Sequence, residues 1–525
     1  MENHTWWRDG IVYQIYPRSF QDSDGDGLGD LPGIIARLDH LAGMGVDALW
    51  LSPIYPSPDK DFGYDISDYC AIDPRFGSLQ DFDTLVTQAH RRGLRIVLDL
   101  VLNHTSDQHP WFQESRASRE NPKRDWYLWA DRPNNWQSVF GGPAWQLDPV
   151  SGQYYLHMFV KEQPDLNWRN PEVRQALLDV FRFWLERGVD GFRLDVFNMY
   201  FKDRELRSNP RKFGLRGFDR LVHRYDHSQP EMIPLLAEIR SLLDSYPGRY
   251  AVGETFGAAP SSAVGYTGPN RLHAAFSFDF TAMEIVFPWS AAWVRGQVAK
   301  RESLFGTDRW PTTVMSNHDL PRAASRYSRG EQDAQTRIAM ALLLTLRGTP
   351  FLYYGEEIGM RDIHLRRDQI LDPAGLPYWP FYQGRDGCRS PMQWDGSPGA
   401  GFSTGRPWLP VHPNAAKRNV AAQEKDPGSM LHFTRSLIRL RRTHAALRSG
   451  SFAFLEKQPR DVIAYLRMTQ DQTVLVAMNF ASGSRRLPLP AGDWQAIFPE
   501  TAGEPARCNG QLELGAQEIR LLLKT

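Results

Sequence analysis

Gly191-Phe192-Arg193-Leu194-Asp195-Val196-Phe197-Asn198 is the stretch whose reading decides the fold. It reads as a strand with an acid near its C-terminal end. Strand side chains alternate between faces, so Arg193 and Asp195 point one way and Leu194 the other. An arginine beside a carboxylate favours the charged form, so Asp195 is expected to be permanently ionised and suited to act as a nucleophile. Alone, such a pair is more often a structural ion pair than a catalytic one.

Working outward, seven more short apolar runs share its texture: Ile11–Tyr16, Val46–Ser52, Leu94–Val101, Tyr250–Glu254, Ala274–Phe278, Thr312–Ser316 and Phe351–Tyr354. Each is nearly continuous in apolar residues, as a strand buried on both faces must be. Helical patterns separate them. Ser78 caps one with Phe82, Leu85, Val86 and Ala89 on a single face, and Gly93 stops it. Asn170-Pro171 opens another, which buries Leu177, Val180, Phe181, Trp184 and Leu185 and ends at Gly188. Eight strand-then-helix units predict an α/β fold, a closed parallel (β/α)8 TIM barrel. An open doubly wound sheet is the alternative, and it usually has fewer strands.

Two connections exceed ordinary loops. One, after the third strand, runs from about Asn103 to Asn170 and is rich in Trp, Pro and Asn; the other, after the eighth, runs from about Gly359 to Gly428. From Ser451 the chain turns to short β-type runs, Val462–Met468, Thr473–Asn479, Trp494–Phe498 and Ile519–Leu523. The expected division is a barrel from residues 1–103 and 171–450, an inserted subdomain at 104–170, and a C-terminal antiparallel β domain at 451–525.

Lys+Arg and Asp+Glu are equal at 61 each, so nothing steers the protein to nucleic acid or an anionic membrane. The 17 Trp, 19 Tyr and 28 Phe include faces on which sugars can stack. Cys70, Cys388 and Cys508 are an odd number without metal-ligand spacing, which favours a reduced, cytoplasmic setting. Met1–Arg8 lacks the basic-then-apolar pattern of a signal peptide, and no apolar run is long enough to span a bilayer. The expected state is a monomer or small homo-oligomer.

Acidic and His residues gather at the predicted strand ends. The third strand ends Asp99-Leu100-Val101-Leu102-Asn103-His104 and the fifth Gly253-Glu254-Thr255; the seventh ends Ser316-Asn317-His318-Asp319. Barrel strand ends converge on one mouth. A lone acid there is ordinarily a cap or a satisfied polar group, but clustered acids are costly without a task.

These segments, with Gln163-Pro164-Asp165-Leu166-Asn167-Trp168, resemble the α-amylase superfamily of glycoside hydrolases in its oligo-1,6-glucosidase and α-glucosidase branch. The motifs fall in the family's order, and the similarity runs from about Trp6 to the end. The resemblance implies a retaining, exo-acting α-glucosidase acting on short α-glucosides. Asp195 is implied as nucleophile, Glu254 as general acid and base, and Asp319 as the third carboxylate. Glu254 is expected to have a raised pKa. His104, His318 and Arg193 are implied to contact the same glucose or the acids around it, and Tyr64 to stack beneath it. Asp65 is implied to pair with Arg385, in Gly384-Arg385-Asp386-Gly387, and so close the pocket; Phe159 and Phe256 are implied to line the next subsite. Val196, directly after the nucleophile, leans towards α-1,6 or mixed specificity, although Phe197 departs from the family's branched aliphatic residue.

Asp22-Ser23-Asp24-Gly25-Asp26-Gly27-Leu28-Gly29-Asp30 is a separate motif. Alternating aspartates around a glycine turn suit a hard cation, although Gly33 stands where an EF-hand has its bidentate glutamate. The resemblance implies a structural Ca2+ or Mg2+ bound by Asp22, Asp24, Asp26, Asp30 and the Leu28 carbonyl. The rival enzyme class is a transglucosylase or isomerase on the same scaffold, such as sucrose isomerase or trehalose synthase. Leu320-Pro321-Arg322-Ala323-Ala324-Ser325 lacks the Arg-Leu-Asp-Arg-Asp motif of sucrose isomerases. A non-catalytic transporter heavy chain is the rival from another class. It is disfavoured by the retained acids and the lack of an anchor.

Overall fold

A computed structural model describes residues 5–256, 260–281, 289–499 and 507–525. The first four residues of the Met1–Arg8 segment lie outside the described residues.

Eight parallel strands form the central sheet: β1 (Val12–Ile15), β2 (Ala48–Leu51), β3 (Arg95–Leu100), β4 (Gly191–Leu194), β5 (Tyr250–Gly253), β6 (Ala274–Ala275), β7 (Thr312–Val314) and β8 (Thr349–Tyr353). They pair in the order β7-β8-β1-β2-β3-β4-β5-β6, which wraps the sheet into a barrel. All eight predicted runs are strands. The ladder stops between β6 and β7, where the Thr312 side chain bridges instead. Its hydroxyl accepts from Ser277 N–H (3.2 Å) and faces the Ala275 carbonyl (3.4 Å).

Several strands are shorter than their apolar runs because the chain turns out of the ladder at the acids. Asp195 and Glu254 stand one residue beyond β4 and β5, and their amides still donate to Leu100 O (3.0 Å) and Leu194 O (2.9 Å). The carboxyls are thereby fixed at the barrel rim. Inside, Trp50, Val97, Val252, Phe276 and Phe351 fill the barrel, while the outer strand faces pack on helices. Helix Leu79–Arg91 begins with a Ser78–Asp81 capping box. Helix Pro171–Glu186 begins where the Asn170 side chain accepts from Glu172 N–H, and it buries Leu177, Phe181 and Trp184.

Between β3 and β4, a helix (Pro110–Ala117) and a three-stranded antiparallel sheet (Trp129–Ala130, Trp145–Leu147, Tyr154–Leu156) stand over the mouth. Fully buried Lys202 ties this insertion to the barrel through Asp165 (2.5 Å) and Asn103 (2.7 Å). From Ser451 a six-stranded antiparallel sheet packs against the barrel helices, where Tyr465 meets the Thr345 hydroxyl and Arg467 donates to Thr345 O (2.6 Å). No described helix is long and apolar enough to cross a membrane.

Candidate active site

Arg193 is the hub of the barrel mouth. Its Nη1 donates to Asp99 and Asp195, both at 2.7 Å, and its Nη2 donates to Glu254. Register explains the first contact, since Asp99 and Arg193 are direct partners on β3 and β4. One guanidinium thus holds the Asp195 and Glu254 carboxyls side by side.

The electrostatics differ from the expectation that Arg193 alone keeps Asp195 ionised. Burial pushes Asp195 well above the usual carboxylate range; Arg193 opposes this, while Glu254, Asp99 and Asp319 add to it. Glu254 and Asp99 are likewise raised by burial against the pull of Arg193. Three buried carboxyls around one cation cannot all ionise cheaply, so the charge states of Asp195, Glu254 and Asp99 are linked.

Asp319 behaves oppositely. Burial works against its charge, but His318, Arg385 and Arg389 outweigh burial and hold its carboxyl below the usual range. Burial also lowers His318 to about 3 and His104 to about 4, so both rings are neutral. The two guanidiniums therefore carry the effect on Asp319, at 3.2 Å from Arg385 and 2.9 Å from Arg389.

The far end of the cavity corrects one expected pair. Arg385 meets Asp61 at 2.6 Å and is gripped from behind by Asp372 at 2.8 Å. Asp65 does not reach it. Its buried carboxylate instead accepts from Ser57 Oγ (2.8 Å), Lys60 N (2.8 Å) and Asp61 N (3.0 Å), which shapes the loop presenting Asp61. Phe62 (φ 47°) and Gly63 (φ 98°) turn that loop through two successive left-handed residues. Asp61, Asp372 and Arg389 were absent from the sequence-based site.

The other expected residues converge. Tyr64 lies stacked on His318 (5.3 Å, 3°) and donates to Asp99 (3.0 Å). His104 Nε2 contacts Gln163 of the insertion and the Tyr64 carbonyl, both at 3.0 Å. Phe159 and Phe256 face each other at 6.2 Å. Tyr64, Asp195, Glu254, Asp319 and Arg385 line one cavity of about 480 Å³. Its outer wall is aromatic and apolar, with Phe140, Phe159, Val196, Phe256, Tyr378 and Tyr382.

Val196 has φ 33° and ψ 39°, a left-handed conformation unusual for a β-branched residue, stored directly after Asp195. Phe197 then turns inward against Gly253, where an added Cβ would stand 2.4 Å from its ring. This accounts for Phe197: the turn after Asp195 and the strand before Glu254 interlock through ring and glycine.

In the aspartate loop, ligand atoms of Asp22, Asp24 and Asp30 lie within 4.8 Å of one another, an oxygen-rich set that suits a hard cation. Asp26 is exposed and outside this group; its Oδ1 accepts from Leu28 N–H (2.7 Å). The loop braces the long segment after β8, since Asp22 N donates to Phe402 O (2.9 Å) and Trp408 N to Gly27 O (2.9 Å).

Residues 14–450 match the α-amylase catalytic domain and residues 452–520 the maltogenic amylase C-terminal domain. The chain is 45% identical over 509 residues to a probable alpha-glucosidase of Rhizobium meliloti (strain 1021), covering 93% of this chain and 92% of that protein. It is 41% identical over 524 residues to an oligo-1,6-glucosidase of Parageobacillus thermoglucosidasius, covering 93% and 92%. Among solved structures, the alpha-glucosyl transfer enzyme XgtA superposes with a TM-score of 0.93 at 44% identity, over 100% of both chains. The trehalulose synthase MutB of Pseudomonas mesoacidophila MX-45 does so with a TM-score of 0.90 at 35% identity, also over 100% of both. With its acids on the rim of an eight-stranded parallel barrel and an antiparallel domain behind it, the chain belongs to the α-amylase family of glycoside hydrolases.

Proposed function

We propose that the protein is a retaining, exo-acting α-glucosidase that removes single glucose units from the non-reducing end of short α-glucosides. The observation that carries this reading is Arg385, clamped between Asp61 and Asp372 beside Asp319. Such an ion-pair cluster at the end of the cavity would stop a sugar chain from running past its terminal glucose.

In this reading the competent enzyme holds a proton on Glu254 and its charge on Asp195. Asp195 attacks the anomeric carbon while Glu254 protonates the departing oxygen, giving a β-glucosyl ester and a free alcohol. Water or an acceptor hydroxyl then attacks the ester, Glu254 takes back the proton, and Asp195 leaves as a carboxylate. Arg193 stays within hydrogen-bond reach of both acids throughout. Ionised Asp319, with Arg385 and neutral His104 and His318, binds sugar hydroxyls and opposes the positive charge of the transition state.

A transglucosylase or isomerase is the second reading, favoured by the aromatic outer wall and by full-length similarity to a glucosyl transfer enzyme. We assign a structural Ca2+ or Mg2+ to Asp22, Asp24 and Asp30, where it would neutralise converging carboxylates and stiffen the brace under the β8 segment. The deciding test is a panel of p-nitrophenyl α-glucoside, maltose, isomaltose and sucrose, read for product identity and anomer. Release of α-glucose is expected. Release of β-glucose, or isomerisation of sucrose as the main reaction, would replace this reading.

A further inference from the structure

A second cluster of titratable groups lies behind the outer wall. Asp226, fully buried in the segment between β4 and β5, faces His223 through Oδ2 (2.7 Å) and His227 through Oδ1 (3.1 Å). The Lys202 ammonium, from the same segment, adds its charge near Asp226. His223 Nε2 contacts the Phe218 carbonyl at 2.9 Å.

The two ring nitrogens of His223 face two acceptors, a carboxylate and a carbonyl, which fix the plane of the ring. The three groups have ligand atoms within 4.8 Å of one another, which raises the question of a metal. Two donors on one tetrahedral zinc, each about 2.0–2.1 Å from it, stand about 3.3 Å apart. The 2.7 Å contact is too short for that and fits a proton.

The cluster is mechanically joined to the cavity. The His223 ring stacks on Phe218 (3.9 Å, 27°), and Phe218 meets Phe256 edge-on at 6.0 Å. Phe256 lines the cavity, and its backbone is held at both N and O by Asn198, three residues after the nucleophile. Ser228, two residues after Asp226, donates its N–H to Asn198 O (2.6 Å).

We infer that His223, seated on Asp226, is a positioning residue for the acceptor-side wall, and that its backing of Phe218 and Phe256 sets how often a sugar rather than water takes the glucosyl group. Without the His223 ring, Phe218 and through it Phe256 lose their backing. The inference rests on the α-glucosidase reading and names a control on its second half-reaction.

The test uses the full chain with p-nitrophenyl α-glucoside as donor and acceptor, where nitrophenol released beyond free glucose counts transfer. His223→Ala, which takes the ring away from Phe218, is expected to lower the transfer-to-hydrolysis ratio about 3- to 10-fold, while His223→Gln, which can keep a contact to Asp226, is expected to fall between it and wild type. Should His223→Ala not fold, Phe218→Leu, which keeps the His223–Asp226 pair, is expected to lower the ratio likewise. A wild-type ratio in a folded His223→Ala or Phe218→Leu variant overturns the inference while leaving the glucosidase reading intact. No nitrophenol release by the wild type removes both.

Discussion

Asp61 Oδ1 lies 2.6 Å from Arg385 Nη2, and this pair, not one between Asp65 and Arg385, forms the closed end of the cavity. Asp65 accepts three hydrogen bonds from the loop that presents Asp61. The two aspartates therefore fail differently on mutation. Asp61→Ala removes a charged contact at the end of the cavity and should lower kcat/KM about 10- to 100-fold with a modest change in Tm. Asp65→Ala leaves three donors unmet and should act first on Tm. Steady-state kinetics beside thermal melts separates the two, and a larger kinetic loss in a stably folded Asp65→Ala would restore the original pairing.

Which of these residues could be found beforehand follows from what fixes each. The eight strands were legible because burial on both faces demands unbroken apolar runs, and their terminal acids because the barrel brings strand ends together. Asp61 was not. Asp59, Asp61 and Asp65 crowd one short loop, and only the left-handed turn at Phe62 and Gly63 determines which points inward. Arg389 and Asp372 were hidden for a similar reason, since a 70-residue irregular segment has no period from which to read direction. The raised Asp195 was missed because burial, which outweighs a neighbouring arginine, cannot be read from an Arg-x-Asp pair.

In the proposed mechanism the Asp195–Glu254 pair works only while it holds one proton. With both acids protonated the proposed nucleophile would be lost; with both ionised the proposed acid would be lost. kcat/KM should therefore follow a bell-shaped pH profile. Glu254→Gln removes the titrating acid and should abolish the alkaline limb for a substrate whose leaving group needs no protonation. Asp195→Asn should lower turnover about 10⁴-fold or more with little change in Tm. Wild-type-like hydrolysis by Asp195→Asn would take the nucleophile's role away from it.

Glu357 is fully buried, and burial raises its carboxyl from 4.5 to about 7, with Tyr13 OH donating to it at 2.8 Å. Below pH 4.5 the group is protonated in both folded and unfolded chains and contributes nothing to the pH dependence. As pH rises towards 7 the unfolded chain ionises first, so stability is lost across that window, by at most about 3 kcal/mol. Glu357→Gln keeps the Tyr13 contact without the titration. The variant should gain in Tm relative to wild type as pH goes from about 5 to 8. A parallel pair of Tm curves would place the proton elsewhere.

Chelation tests the aspartate loop. The loop touches the segment from Phe402 to Trp408, and that segment follows Arg385 and Arg389. Exhaustive chelation should lower Tm and raise KM more than it lowers kcat, and added Ca2+ or Mg2+ should restore both. Asp22→Asn should reproduce the loss and be insensitive to added cation, at a cost of about 1–3 kcal/mol. An unchanged Tm after complete removal would make the loop an ordinary acidic turn.

Gly253 precedes Glu254, the proposed acid, and leaves room for the Phe197 ring, which an added Cβ would approach to 2.4 Å. Both positions belong to elements carrying an acid, so a clash here moves Asp195 against Glu254 rather than emptying either site. Gly253→Ala should cost about 1–3 kcal/mol of stability from overpacking. It should also lower kcat about 10-fold or more, because small misplacements of reacting groups are expensive. Phe197→Val opens the space that the new methyl needs. The double variant should therefore recover more activity than either change alone would allow, a coupling that a double-mutant cycle measures directly. Additive losses would mean that ring and glycine do not set the distance between the two acids.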